Sequence, residues 1–240
     1  MMTDVRRSPL LLAGLLCALP TTLTACSSGP SAAEQLTSTE QQVSHQTSVN
    51  FVDVTTEGKS NKVITGLLGP VDSQETLTVD GSPVLQVRLL RVTAYVYTDS
   101  QAILTAALGL SAAQAAAHVN QWIQVNSTDK PFNSITNSMT IDSAISIYFP
   151  TSSSVQQQGT KTIHGTELNT LTGTRVLSKT SAQESTIFVN PTTHLPAAGT
   201  IVIKSTTSTA KKEAVFRQWG YTFKVPMPAP VVTYTSITSS

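Results

Sequence analysis

The chain has 240 residues, with 15 Lys and Arg against 14 Asp and Glu and a formal net charge of +1. No run of Lys or Arg departs from this balance, so the chain lacks the electrostatic footprint of a nucleic-acid binder and offers anionic headgroups no polybasic patch. Two cysteines exclude a disulfide-stapled scaffold, so stability has to come from burying apolar area, and the length suffices for one sizeable core.

In chain order, a targeting signal comes first. Arg6 and Arg7 precede an apolar run over 10–19 (LLLAGLLCAL), which Pro20 and the threonines after it break up. That is the layout of a signal peptide. A membrane-spanning helix needs about 20 apolar residues, so this run is too short to be a permanent anchor. Leu23-Thr24-Ala25-Cys26 resembles the lipobox of bacterial lipoproteins, where small residues admit a peptidase to the bond before a lipidated cysteine. The expectation is a signal peptide over 1–25, cleavage before Cys26 and a lipid on Cys26 holding the protein to the outer face of the cell membrane. Ser8-Pro9 after the arginine pair favours general secretion over twin-arginine export. Cleavage removes Arg6, Arg7, Asp4 and Cys17, leaving a neutral mature chain whose one cysteine carries lipid.

Residues 26–31 then form a short lipidated tether, which keeps the folded part close to the bilayer. Residues 32–46 are polar apart from Leu36, Val43 and a few others, and read as an N-terminal helix. From Val49 the pattern changes to short runs that alternate apolar with polar, predicting strands over 49–56, 62–68, 75–79, 84–92 and 93–98. Asp80-Gly81 between two of them predicts a type I′ hairpin. Residues 100–108 read as a helix closed by Gly109, and Ser111 with Gln114 has the spacing of a capping box opening a second helix to about residue 120. Residues 122–125 look extended. Ile141, Ala144, Ile145 and Tyr148 fall at i, i+3, i+4 and i+7, predicting a third helix before Pro150. Residues 151–158 (TSSSVQQQ) read as a surface loop, followed by strands over 161–167, 169–179, 185–189, 199–205, 213–219 and 221–225. The tail over 227–240 is expected to be extended. Many strands with helices in the middle indicate an α+β domain built on an antiparallel sheet.

Signatures of chemistry are missing from this pattern. His45, His118, His164 and His194 have no zinc-site spacing. No G-x-S-x-G elbow and no glycine-rich phosphate loop occurs. Glu167, Glu184 and Glu213 fit exposed strand faces better than a catalytic pair. A non-enzymatic protein with neither cofactor nor metal is expected, and apolar surface becomes the feature to follow. Leu85, Val87 and Leu89 share one strand face by alternation. Ile103, Leu104, Leu108, Ile141, Ile145 and Phe149 supply aliphatic and aromatic bulk from the middle helices. These nine residues either fill a dry core or line a pocket for acyl chains, with its mouth among short helices that Gly109 lets shift.

Two stretches carry a family resemblance. Phe216-Arg217-Gln218-Trp219-Gly220-Tyr221-Thr222-Phe223-Lys224-Val225-Pro226 looks like the last strand of the mycobacterial LprG/LppX-type lipoproteins, where an aromatic, Trp-Gly and a later Val and Pro recur in that order. Leu108-Gly109-Leu110-Ser111-Ala112-Ala113-Gln114-Ala115-Ala116, followed by Trp122-Ile123-Gln124-Val125, is similar to actinobacterial lipoproteins of the same kind. The resemblance implies a LolA-like fold over 32–226: a curved antiparallel half-barrel wrapped over a few helices, enclosing a cavity that receives acylated glycolipids or other envelope lipids. It implies no catalytic residues. The expected function is a membrane-anchored envelope lipoprotein, monomeric, that binds or carries a lipid. The alternative is a structural or interaction lipoprotein with a solid core that docks onto an envelope protein. Trp219 is expected to anchor the last strand beside Gly220.

Overall fold

A computed structural model describes residues 29–206 and 208–239 of the chain. The expected signal peptide and Cys26 lie outside the described residues.

Helix α1 (Ala32–Ser44) opens on a capping box in which Ser31 Oγ accepts from the Glu34 amide and the Glu34 carboxylate accepts the Ser31 N–H at 2.7 Å. Those hydrogen bonds to the ionised form, the backbone one first, hold the Glu34 carboxyl below its ordinary value. Leu36, Thr39 and Val43, at i, i+3 and i+7, are buried, so α1 lays one face into the core despite its polar sequence.

Strands β1 (Val49–Glu57), β2 (Ser60–Leu68), β3 (Asp72–Val79), β4 (Ser82–Leu90) and β5 (Thr93–Tyr97) follow as an antiparallel meander. Asp80 and Gly81 make the two-residue β3–β4 turn with φ of 48° and 86°, the positive pair that a type I′ turn requires. Two helices interrupt the sheet. α2 (Gln101–Leu108) is capped by Ser100 and ends on left-handed Gly109, and α3 (Ala112–His118) begins at the Ser111/Gln114 capping box. After β6 (Trp122–Asn126) come α4 (Phe132–Thr136), which no periodicity announces, and α5 (Ile141–Ile145). The expected helix over 141–148 is therefore split, its last three residues forming a 3₁₀ turn (Ser146–Tyr148).

A second meander comprises β7 (Gln156–Ile163), β8 (Thr166–Ser178), β9 (Ser181–Val189), β10 (Pro196–Ser205) and β11 (Thr209–Arg217). Two expectations are corrected here. The loop over 151–158 gives way at Gln156 to a strand, and the strand over 161–167 is cut by a hairpin turn at His164 and Gly165, with φ of 49° and 80°. β7 is polar and largely exposed because it is the sheet's edge, where Gln, Thr and Lys discourage pairing with another chain. Such an edge carries no alternation to read.

The C-terminal segment also departs from expectation. Residues 221–225 are not a strand. They belong to a strap held by Ser48, whose hydroxyl donates to the Tyr221 carbonyl at 2.7 Å, and by Arg88, which donates to the Pro226 carbonyl at 2.8 Å. Pro226, Pro228 and Pro230 have no N–H to give a ladder. The strap then delivers β12 (Val231–Thr233) and α6 (Tyr234–Thr238), so the tail over 227–240 is not simply extended. Ile237 on α6 is buried, which costs the tail its freedom but removes apolar surface from water.

The twelve strands among the described residues form one curved, unclosed sheet in the order β12-β6-β5-β4-β3-β2-β1-β11-β10-β9-β8-β7. β12 on β6 is parallel and every other pairing is antiparallel. The two meanders join where β1 meets β11, with Phe51 opposite Phe216 and Asp53 opposite Ala214. Trp219 lies just past β11, its ring centroid 6.2 Å from that of Phe216 and its indole N–H donating to the Pro196 carbonyl at 3.0 Å.

Candidate functional site

Packing of the helices onto the inner sheet face divides the interior in two. One cluster gathers Leu36 and Val43 of α1, Ile145 of α5 and Tyr148 against Phe51, Leu68, Leu171, Ile187, Ile201 and Phe216 of the strands. The second sets Leu104 and Leu108 of α2, Ala115 of α3 and Ile237 of α6 against Ala94, Val96, Ile123 and Val125. Leu85, Leu89 and Ile135 touch both clusters.

A cleft of about 320 Å³ lies at this junction, lined by Glu75 of β3, Leu85 and Val87 of β4, Val96 of β5, Ala106 and Ala107 of α2, and Ser134, Ile135 and Ser138 of and beside α4. Of the nine residues singled out in the sequence, Leu85 and Val87 line it. Leu89 packs beside it against both clusters. Leu104, Leu108 and Ile145 are fully buried core residues rather than cleft walls. Ile141 and Phe149 pack on the first cluster, Phe149 also bordering a separate crevice of about 130 Å³. Ile103 is half-buried on α2, outside both clusters and the cleft lining. A groove of about 330 Å³ beside Tyr97, Trp122 and Pro230 lies on the outer sheet face against the strap, away from the junction of the two cores.

Charge lies close to this cleft on the inner face. Asp53, 3% exposed in the middle of β1, accepts the Tyr148 hydroxyl hydrogen at 2.7 Å and the Lys212 ammonium at 3.0 Å, both on Oδ2, while its buried Oδ1 has no hydrogen-bond partner among the described residues. The Tyr148 ring fits because position 199 on β10 is glycine: a Cβ there would come within 2.7 Å of the ring. Burial, then the hydrogen bond to Asp53, push the Tyr148 hydroxyl's pKa up. Glu75 is raised to about 7, first by burial and then by the Asp53 charge, with Lys212 pulling the other way. Beside it, Phe51 occupies the space that a side chain at Gly66 would fill.

Known structures share this architecture. The crystal structure of the lipoprotein LppX from Mycobacterium tuberculosis superposes with a TM-score of 0.53 at 15% identity, over 81% of this chain and 98% of that one. LprF from Mycobacterium bovis superposes at 0.50 with 12% identity, over 83% of this chain and 97% of that one. This chain has an LppX-type fold. A LolA superfamily protein from Nitrosomonas europaea aligns at a TM-score of 0.31 and 12% identity, over 82% of this chain and 96% of that one. No family model matches the chain, and no curated protein matches its sequence.

Within this LppX-type half-barrel the sequence reading overlooks Glu75, Asp53, Tyr148 and Lys212. A signal for one of them existed: Glu75 falls in phase with Leu77 and Val79 on a strand whose other face is polar, and an inward carboxylate is unusual enough to mark a position, whereas Asp53 stands between Val52 and Val54, where alternation would turn it outward. Among the described residues no group of three or more His, Cys, Asp and Glu is arranged to hold a metal ion.

Proposed function

We propose that this protein is a lipid-anchored envelope lipoprotein that takes one acyl chain of a lipid or acylated glycolipid into the cleft between β3–β5 and helices α2 and α4. The observation that carries this reading is the cleft itself: an aliphatic-walled space of about 320 Å³ at the junction of two packed clusters. Ligand sites span roughly 300–1,000 Å³, so this volume suits one chain rather than several. Retention needs no chemistry, since each buried methylene contributes about 0.8 kcal/mol. The cleft's roof is its movable part. α4 is five residues long with no side-chain cap, and α2 ends at Gly109, whereas the opposite wall is hydrogen-bonded sheet. No helix among the described residues is long and apolar enough to cross a membrane, and lipid on Cys26 supplies the attachment.

Among the described residues the buried residues of the core clusters run from Leu36 to Ile237, all of which the chain from residue 27 retains. Expressed in a lipid-containing host and examined by native mass spectrometry, it should carry bound lipid. Leu85→Trp fills the cleft and should remove that lipid with the fold intact. Leu104→Trp enters a packed cluster and should cost about 1–3 kcal/mol of stability instead. A folded parent that never carries lipid returns the protein to the solid-core interaction role.

A further inference from the structure

Among the described residues, Glu75 is the one charged residue in the cleft lining. It stands opposite Val87 in the β3–β4 register, so it shares the inner wall with Leu85 and Val87. No side chain among the described residues hydrogen-bonds to it, and the neighbouring polar residues, Ser134 and Ser138, line the same space from the α4 side. The cleft is thus an aliphatic trough with a single carboxyl group on its wall. A protonated carboxyl donates one hydrogen bond, which an ester carbonyl accepts and which an ionised carboxylate cannot supply.

We infer that the cleft selects a single-chain amphiphile with an uncharged head, an ester whose carbonyl accepts a hydrogen bond from the carboxyl of Glu75 while the chain lies along Leu85, Val87 and Val96. This rests on the lipid-binding reading above and adds the head-group class and its pH dependence.

Burial first, and then the charge of Asp53, favour the neutral carboxyl. Asp53 on β1 faces Glu75 with a negative charge, and the ammonium of Lys212 on β11 is committed to Asp53 at 3.0 Å. Tyr148 also directs its hydroxyl to Asp53. Lys62 shares the inner face of β2 but is exposed at its outer end, four residues from Gly66, the partner of Glu75. Arg88 on β4 and Tyr95 and Tyr97 on β5 alternate to the outer face, and neither α2 nor α4 contains a titratable residue. With Glu75 titrating at about 7, an anionic head meets two carboxyls and gains nothing from either.

The test measures dissociation constants of 1-monolauroylglycerol, dodecanoate and dodecylamine for the chain from residue 27, at pH 6 and pH 8. Monolauroylglycerol should bind about tenfold tighter at pH 6, following the protonated fraction of a group that titrates near 7. Glu75→Gln, permanently neutral and of the same shape, should hold monolauroylglycerol within about twofold across the same range, and Glu75→Leu should bind it weakly at both values. Three results would overturn the inference: no pH dependence in the parent, unchanged pH dependence in Glu75→Gln, or a preference for dodecylamine at pH 8, which would make the carboxylate a counter-ion. Leu85→Trp separates the two levels. If it abolishes binding while Glu75 variants leave the pH profile unmoved, only the head-group assignment fails. If the parent binds none of the three probes, the cleft reading and the head-group assignment fall together.

Discussion

Tyr148 gives its phenolic hydrogen to Asp53 Oδ2 at 2.7 Å, tying the turn after α5 to the middle of β1 across 95 residues of sequence. The same ring sits on Gly199 of β10 and meets Phe216 edge-on at a centroid distance of 5.7 Å. One side chain thus fixes three strands around the junction of the two meanders, and the carboxylate it holds is the one whose charge disfavours ionisation of Glu75.

Tyr148→Phe keeps the ring packing and removes the hydrogen bond. It leaves Asp53, already with one unpartnered oxygen, relying on Lys212 alone. A loss of about 1–3 kcal/mol is expected by urea denaturation, the cost of stripping one partner from a buried acceptor. Unchanged stability would mean that water reaches Asp53 freely.

Glu75 makes stability depend on pH with a definite sign. Its folded value, about 7, exceeds the unfolded 4.5, so its contribution is fully present below 4.5 and is lost as pH rises through 7. Glu75→Gln should therefore be more stable than the parent at pH 8, with the gap closing by pH 5. Thermal melts at both values decide this, and a gap that widens on acidification would reverse the sign.

Ile237 tests whether the C-terminal segment is a structural part of the domain. It is buried in the second cluster, and its carbonyl accepts from Gln114 of α3 at 2.8 Å. Ile237→Ala should cost about 2–5 kcal/mol, as for other large-to-small changes at buried sites. An extended, unpacked tail would give a change near zero in the same denaturation experiment.

Cys26→Ser should block lipid attachment and yield unprocessed precursor or released protein, because no other cysteine follows the apolar run over 10–19. Incorporation of radiolabelled palmitate is the readout, and label entering the variant would end the lipoprotein assignment.

Local rules made much of the fold legible. Alternation over 49–98 is a period-2 property of each strand, so the run announces its strands and puts Leu85, Val87 and Leu89 on one face before any partner is known. Asp80-Gly81 specifies its turn through backbone sterics, and Ser111 with Gln114 opens α3 through bonds three residues apart. Where local chemistry is weak, the reading stops. His164-Gly165 turns a polar edge strand that carries no alternation, and α4 is too short for a helical period to declare itself.

Tertiary structure alone decided the site. Leu85 and Leu104 are equally apolar and equally well placed for an inward face, yet one lines a cleft and the other is buried solid. The difference is the gap between α2, α4 and the sheet, set by how two hydrophobic clusters pack and not by either residue's neighbours in sequence. Asp53, Glu75, Tyr148 and Lys212 come together for the same reason: strand register and a glycine at 199 bring distant positions onto one face. The period of a strand says which way a side chain points, but what it meets depends on contacts made far along the chain.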